Sequence, residues 1–224
     1  MQSSTVSIGV TEEIVSGKVN TVTVQDGGVK AVVTADDVDK MIQSVKAGQD
    51  LKKDVIHIAV ASGIQNANET AVSLPHELDR KMQENNVSTL KLSFENQGLE
   101  MNLTQTKIQE MNRHASAGIR ISAQKIDPAA IVTAGQDILQ QHSYHIEAFY
   151  EATGKPVVLS GGETAEIAIP YVLKEGETAD KIIAVQIKDD GTILYLENSR
   201  YDPETRKMIF GITEFGTYSI AVKP

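Results

Sequence analysis

Hydrophobic and polar positions along the first half of the chain switch from strand-like alternation to helical spacing. The alternating run from Val19 to Val24, the turn QDGG and the apolar run VKAVV together predict a β-hairpin. The next segment, TADDVDKMIQSVKAG, predicts a helix that is capped by Thr34 or Asp36 and stopped by Gly48. Its expected apolar face consists of Val38, Met41, Ile42 and Val45.

The same order of strand, cap and helix is predicted twice more. In the second unit a strand ends at Pro75, a helix follows, and the strand STLKLSF comes after the helix. In the third unit Thr104 or Thr106 caps a helix, and the strand GIRISAQKI follows that helix. The apolar positions expected on these two helices are Leu78, Met82, Ile108 and Met111. Because short helices cannot bury an apolar face alone, we expect each to lie across a sheet. Residues 1–128 are therefore predicted to form an α+β domain with three strand-cap-helix units.

Helical spacing disappears beyond residue 128, apart from a short turn around AGQDIL. Strands or hairpins are predicted for SYHIEAFYE, KPVVLS, TAEIAIPYVL, KIIAVQIKDDGTILYLENS and KMIFGITEFGTYSIAV. In the clearest hairpin, Val185 and Ile187 lead into the turn Asp190-Gly191, and Ile193 and Tyr195 lead out of it. Residues 129–224 are therefore predicted to form an all-β, antiparallel, sandwich-like domain or an open barrel.

Composition narrows the classes of function. The 224 residues are 41% hydrophobic and 23% charged, which is typical of a folded protein, and the net charge of -9 is spread along the chain without a basic run. This charge argues against nucleic acid and against anionic membrane surfaces, and no apolar stretch is long enough for insertion into a membrane. The absence of Cys excludes disulfides, thiolate metal sites and Cys nucleophiles.

Several motifs offer candidate chemistry, and each has a simpler structural interpretation. His142 and His145 in HSYHIE suggest a metal site, but strand alternation directs the two side chains to opposite faces. The glycine-rich loop Ser160–Thr164 precedes an alternating strand and not a helix, which favours a hairpin turn over phosphate binding. The motif KDDG and the group Asp36, Asp37 and Asp39 could bind calcium, but a turn and a helix amino end account for them.

No motif for a catalytic Ser, Cys or zinc centre is present, so we predict no enzyme, no catalytic or metal-binding residues and no cofactor. A hydrolase fragment that uses two distant carboxylates is a minor alternative.

The segment from Ala165 to Val222 resembles a module of exported bacterial surface proteins. Its ordered features are a strand ending in Pro-Tyr, the turn LKEGE, a strand, the turn DDG, another strand, the motif YDPET and a last strand pair that closes on FGTY. In Firmicutes this module commonly lies immediately before S-layer homology (SLH) repeats. The upstream strand-cap-helix units resemble the same proteins more loosely, whereas the SLH repeats themselves are absent.

This resemblance implies a non-catalytic, extracellular spacer of the cell wall or S-layer, located between a displayed domain and wall-anchoring repeats. The amino end MQSSTVSIGV lacks the features of a signal peptide, so the chain would be an excerpt. The implied partners are neighbouring domains, wall polysaccharide or other S-layer copies, which could pair through edge strands. In the last strand pair Phe210 and Ile212 are expected to face inward, and Phe210, Phe215 and Tyr218 to pack at the final corner.

The alternative is a glycan- or protein-binding module that uses the carboxyl-terminal β domain. Tyrosine exposure separates the two hypotheses, because a sugar-binding surface needs aromatic rings on one solvent face. The residues to compare are Tyr144, Tyr150, Tyr171, Tyr195 and Tyr201.

Overall fold

The structure is a computed structural model that describes residues 6–10, 13–19, 22–25, 28–47, 55–60, 67–127, 138–139, 143–159 and 165–224. Within these residues the chain forms β-strands in two sheets, three α-helices and one 3₁₀ turn at Ala179–Lys181. The helices are α1 (Ala35–Ala47), α2 (Leu78–Glu84) and α3 (Gln105–Asn112). The strands are β1 (Val6–Val10), β2 (Glu13–Val19), β3 (Val22–Gln25), β4 (Gly28–Val32), β5 (Val55–Val60), β6 (Glu69–Leu74), β7 (Thr89–Phe94), β8 (Leu99–Thr104), β9 (Ile119–Ile126), β10 (Ser143–Tyr150), β11 (Ala165–Pro170), β12 (Ile182–Ile187), β13 (Ile193–Tyr195), β14 (Arg200–Asp202), β15 (Lys207–Ile212) and β16 (Gly216–Val222).

Each sheet contains eight of these strands. We name them sheet A, with the order β14-β15-β11-β8-β7-β5-β1-β2, and sheet B, with the order β13-β12-β16-β10-β9-β6-β4-β3. Neighbouring strands are antiparallel except for the parallel pairs β5–β7 in sheet A and β4–β6 in sheet B. The fold is therefore α+β and dominated by strands.

The two sheets pack face to face around one main apolar core. In strands such as β5, β8 and β15, alternate residues are buried, as the two-residue period of a strand requires. The core draws on strands from both sheets and both halves of the chain, and includes Ile58, Val72, Leu92, Met101, Ile121, Ile146, Ile167, Phe210 and Ile220.

The segments 1–128 and 129–224, which the sequence predicts to be separate domains, share both sheets. In sheet B, β10 pairs with β9 from Ser143↔Ile126 to Tyr150↔Ile119, directly across the predicted boundary. In sheet A, β11 pairs with β8 between Glu166↔Asn102 and Ala168↔Glu100. The pairing of strands across residue 128 therefore gives the described parts of the two segments a common core.

Each helix joins a strand of one sheet to a strand of the other. The chain runs from β4 through α1 to β5, from β6 through α2 to β7, and from β8 through α3 to β9. The strand directions place these connections at the same end of the sandwich, where α2 contacts both α1 and α3. The helices therefore gather at this end, which we call the helical end, whereas the sequence predicts that each helix lies across a sheet.

The apolar helix faces are largely as predicted. Val38, Met41 and Ile42 of α1 are buried, whereas Val45 and Gly48 lie outside the residues whose side chains are described. The expected positions on α2 and α3 are also buried: Leu78, Met82, Ile108 and Met111. In each helix the spacing of these residues reflects the 3.6-residue period of an α-helix.

The helix amino ends differ among the three units. Thr34 caps α1 and Thr104 caps α3, where the Thr104 hydroxyl accepts a hydrogen bond from the Lys107 amide at 3.1 Å. The side chain of Glu77, at the amino end of α2, makes no capping hydrogen bond, and α2 instead follows a turn in which Leu78 N–H donates to the Pro75 carbonyl. The second unit therefore begins with a backbone turn and not with a side-chain cap.

Strand predictions agree at several positions and fail at others. The hairpin β3–β4 and the stop at Pro75 are confirmed, as is the hairpin β12–β13 with Ile187 opposite Ile193. The segment 155–159 forms only an isolated bridge, in which Pro156 lies opposite Phe149. The sequence predictions did not include β1, β2, β5 or β14.

The two described ends of the chain lie at the end of the sandwich opposite the helices. Val6 pairs with Val60, which is the last residue of β5, and Val222 pairs with Ile182, which is the first residue of β12. Strand directions in both sheets place these pairs away from the helical end.

Among the described helices, none has the length and apolar character that crossing a membrane requires.

Candidate functional site

The acidic residues at the start of α1 serve the helix itself. Thr34 donates to the Asp37 carboxylate from its amide at 2.9 Å and from its hydroxyl at 2.6 Å, and its hydroxyl accepts from the Asp37 amide at 3.2 Å. Asp39 accepts a hydrogen bond from Lys81 of α2 at 2.5 Å. Asp37 and Asp39 are thus used for capping and for pairing of α1 with α2.

The KDDG motif is the turn of the β12–β13 hairpin. Gly191 has a φ of +81°, and its amide donates to the Lys188 carbonyl at 2.8 Å. Asp190 accepts from the Thr192 amide at 2.9 Å, and this hydrogen bond lowers the pKa of its carboxyl group. These contacts are those of a tight turn.

His145 and Glu147 lie on the outward face of β10, as strand alternation predicts. The His145 ring is 2.8 Å from the Thr217 hydroxyl through Nδ1, and its Nε2 is 3.7 Å from a Glu147 oxygen. His142 and the loop 160–164 lie outside the described residues. Across the described parts of the chain, no three His, Cys, Asp or Glu side chains are grouped so that they could hold a metal ion.

A polar network on the outer face of sheet A brings together residues that the sequence did not single out. His57 Nε2 of β5 lies 2.7 Å from the Ser93 hydroxyl of β7, and Glu100 accepts from Lys91 at 3.1 Å and from Lys207 at 2.9 Å. Burial, followed by the charges of Lys91 and Lys207, lowers the pKa of His57. Burial alone would raise the pKa of Glu100, but the hydrogen bonds from Lys207 and Lys91 hold it below its ordinary value.

This network continues towards the edge of sheet A. Glu166 of β11 accepts from the Asn102 amide of β8 at 3.0 Å, and it lies 3.6 Å from the Arg200 guanidinium of β14. Together with His57 and Lys207, these residues link strands of sheet A from β14 to β5, and the pairs Arg200–Glu166 and Lys207–Glu100 each reach across one intervening strand. The polar side chains of this face therefore bond largely to one another.

The Ser93–His57 pair has the composition of a nucleophile and its base, but its surroundings do not suit acyl transfer. Ser93 is only 3% exposed, so a substrate carbonyl cannot reach its hydroxyl. The backbone of β7 is paired with β5 on one side and with β8 on the other. Acyl transfer instead needs backbone N–H groups that are directed at the substrate, where they stabilise the developing oxyanion. The pair fits a structural hydrogen bond between strands.

Sheet B carries a groove of about 340 Å³ on its outer face, which we call the sheet B groove. Its floor and walls come from the outward residues of β10, from the segment Pro156–Leu159 and from the turn that precedes β16. Val157 N–H donates to the Ala148 carbonyl at 2.8 Å, which fixes this segment beside β10. Its main side chains are His145, Glu147, Phe149, Val158, Asp189 and Phe215.

The tyrosines that distinguish the two functional hypotheses do not form one solvent face. Tyr144 and Tyr171 are buried, and burial raises the pKa of Tyr144 to about 12. Tyr150 and Tyr201 pack against the core, and the Tyr201 hydroxyl donates to the Tyr171 carbonyl at 3.0 Å. Tyr195 is 42% exposed.

The final corner is a packed structure, as predicted. The Tyr218 hydroxyl donates to the Glu214 carbonyl at 2.5 Å, and its ring centroid lies 5.4 Å from that of Phe210. Phe210 and Ile212 face the core, and Phe215 packs against it. This corner lies where β15 of sheet A passes into β16 of sheet B, so it ties the two sheets together.

Comparison with known proteins does not place the chain in a family. No protein-family model matches it, and no curated protein matches it significantly.

Proposed function

We propose that the chain is a non-catalytic structural module of a bacterial S-layer or related cell-surface protein. In this role it stands between a displayed domain and repeats that anchor the protein to the cell wall. The observation that carries the proposal is the sharing of both sheets by the two halves of the chain. Because β10 pairs with β9 and β11 pairs with β8, separating the halves would break strand ladders in both sheets.

The outer face of sheet A supports this role. Its charged and polar side chains link strands through the contacts of His57, Glu100 and Glu166, and the Lys207–Glu100 pair reaches across β11 from β15 to β8. Such cross-strand contacts each contribute modestly, on the order of 0.2–1 kcal/mol, but several along one face make the sheet stiffer. A stiff sheet suits a module that holds other domains in place.

The tyrosines also favour a structural role over glycan binding. Of the five that would have to gather on a sugar-binding surface, Tyr144 and Tyr171 are buried and Tyr150 and Tyr201 pack on the core. Their rings stabilise the sandwich and are not displayed as a platform.

The chain ends define how such a module would connect. Val6 and Val222 both lie at the end opposite the helices, so the neighbouring domains would attach at that end. The helical end would then project away from both attachments.

The proposal is tested by a pull-down with purified cell-wall sacculi that retain their secondary polysaccharide. The chain alone is compared with the same chain extended through the domain that follows it in the full protein. We expect only the extended protein to sediment with the sacculi. Sedimentation of the chain alone, together with its release by soluble wall polysaccharide, would show that the chain is itself a wall-binding module.

A further inference from the structure

The sheet B groove combines an exposed apolar surface with a negative rim. Val158 is 72% exposed, which is the highest value among the large apolar side chains described, and it stands beside Phe149 and Phe215. Arg120, which is not among the residues that line the groove, lies 5.3 Å from the centre of the Phe149 ring. Exposed apolar side chains grouped in a groove are typical of surfaces that bind another molecule.

The charged groups that line the groove are predominantly acidic. Among its described lining residues are Glu147, Asp189 and Glu214, and there is no Lys or Arg. Lys188 contacts the Glu214 carboxylate, which Gln186 also hydrogen-bonds at 2.7 Å, so the charge of Glu214 is already compensated. His145 also lines the groove, with its Nε2 3.7 Å from Glu147. The carboxylates of Glu147 and Asp189 give the groove its negative character.

We propose that the sheet B groove binds an extended basic segment of a partner protein. In this complex a Lys or Arg of the partner lies against Glu147 and Asp189, and a neighbouring apolar side chain covers Val158. Charge complementarity selects this occupant, because an anionic wall polymer would be repelled by the same carboxylates. The proposal concerns only this surface and does not depend on the structural role proposed above.

The shape of the groove suits an extended chain. The segment Pro156–Leu159 runs beside β10, and β16 begins on the same side of β10 at Gly216, opposite Ile146. The groove therefore lies along the outward residues of a strand. Its volume of about 340 Å³ is enough for a few side chains.

The probe for this proposal is a fluorescently labelled, capped peptide with the sequence Val-Lys-Val-Lys-Val, and its counterpart has Glu in place of Lys. Fluorescence polarisation measures the affinity of each peptide for the 224-residue chain at about 0.1 M salt, where charges on an exposed surface still act over about 10 Å. Circular dichroism confirms that each variant is folded.

Three variants give the test its specificity. Glu147→Gln should weaken binding of the Lys peptide about two- to fivefold, which is the effect of losing one partly exposed ion pair. Val158→Ser should weaken it about three- to tenfold through lost apolar contact. Glu175→Gln is the matched control, because it removes the same charge from an exposed position outside the lining of the groove, and it should leave the affinity unchanged.

The expected result is binding of the Lys peptide that both groove variants weaken and the control variant does not. If Glu175→Gln weakens binding of the Lys peptide as much as Glu147→Gln does, the binding depends only on the net charge of the chain, and the proposal is overturned. Binding of the Glu peptide with similar affinity would overturn it as well, as would a Val158→Ser variant that binds like the original chain.

Discussion

Gly118 occupies a position where any side chain would collide with the backbone of a neighbouring strand. Its φ is +110°, and a Cβ atom there would lie 2.2 Å from the Leu74 carbonyl oxygen at the end of β6. The Gly118 carbonyl also accepts a hydrogen bond from the Glu151 amide at 3.1 Å. Replacement by Ala therefore disturbs the junction of β6, β9 and the residue that follows β10.

Gly118→Ala is expected to lower the free energy of unfolding by about 3 kcal/mol or more. Backbone strain at positive φ accounts for about 1–2 kcal/mol, and displacement of the Leu74 carbonyl adds the rest. Gly154→Ala is the control, because its φ is also positive, at +66°, but no atom lies within 4 Å of the added Cβ. Only the strain of about 1–2 kcal/mol is expected there.

Urea unfolding followed by far-ultraviolet circular dichroism measures both variants. The expected result is a clear difference between the two midpoints with similar slopes. If the two variants lose the same stability, the reasoning is wrong and the close approach of Gly118 to β6 does not exist in solution.

Two further predictions concern the final corner and the polar face of sheet A. Tyr218→Phe keeps the buried ring but removes the hydroxyl that bonds to Glu214, so it should lower the free energy of unfolding by about 1 kcal/mol in the same urea assay. Tyr195→Phe at the exposed edge is the control and should change the free energy of unfolding by less than about 0.5 kcal/mol. Because the pKa of His57 is held below 6.5 in the fold, the unfolded chain binds the proton more readily, and stability should fall as the pH drops below about 6.5. His57→Gln should flatten the stability profile between about pH 7 and 5.5, and an unchanged profile would contradict the burial of His57 beside Ser93.

The helices could be predicted from the sequence because the residues that determine a helix, its apolar face and its cap, lie close together along the chain. Val38, Met41 and Ile42 fall on one face by the 3.6-residue period, and they are buried in the structure. Thr34 was one of two residues expected to cap α1, and its hydroxyl does so through Asp37. The hairpin at Asp190-Gly191 could be predicted for the same reason, because the residues that form its turn are adjacent in sequence.

The arrangement of strands could not be predicted in this way. The change in pattern near residue 128 suggested a domain boundary, but strand pairing depends on contacts between residues that are distant in sequence. β5 carries the alternation Ile56, Ile58 and Val60, yet it was not among the strands predicted. The contact between His57 and Ser93, which are 36 residues apart, has no local signal at all.

The sheet B groove was also beyond sequence reasoning. Strand alternation places His145 and Glu147 on the same face, but the opposite wall of the groove comes from Val158 and from the turn at Phe215. These elements meet only because β16 and the segment after β10 both lie beside β10.

The central claim is that both halves of the chain form one cooperative body. Differential scanning calorimetry of the intact chain tests it most directly, by comparing the calorimetric enthalpy of unfolding with the enthalpy derived from the shape of the transition. The shared sheets predict a single transition in which the two enthalpies agree, and Gly118→Ala should shift that whole transition to lower temperature. Two separable transitions, of which Gly118→Ala shifts only one, would contradict the account.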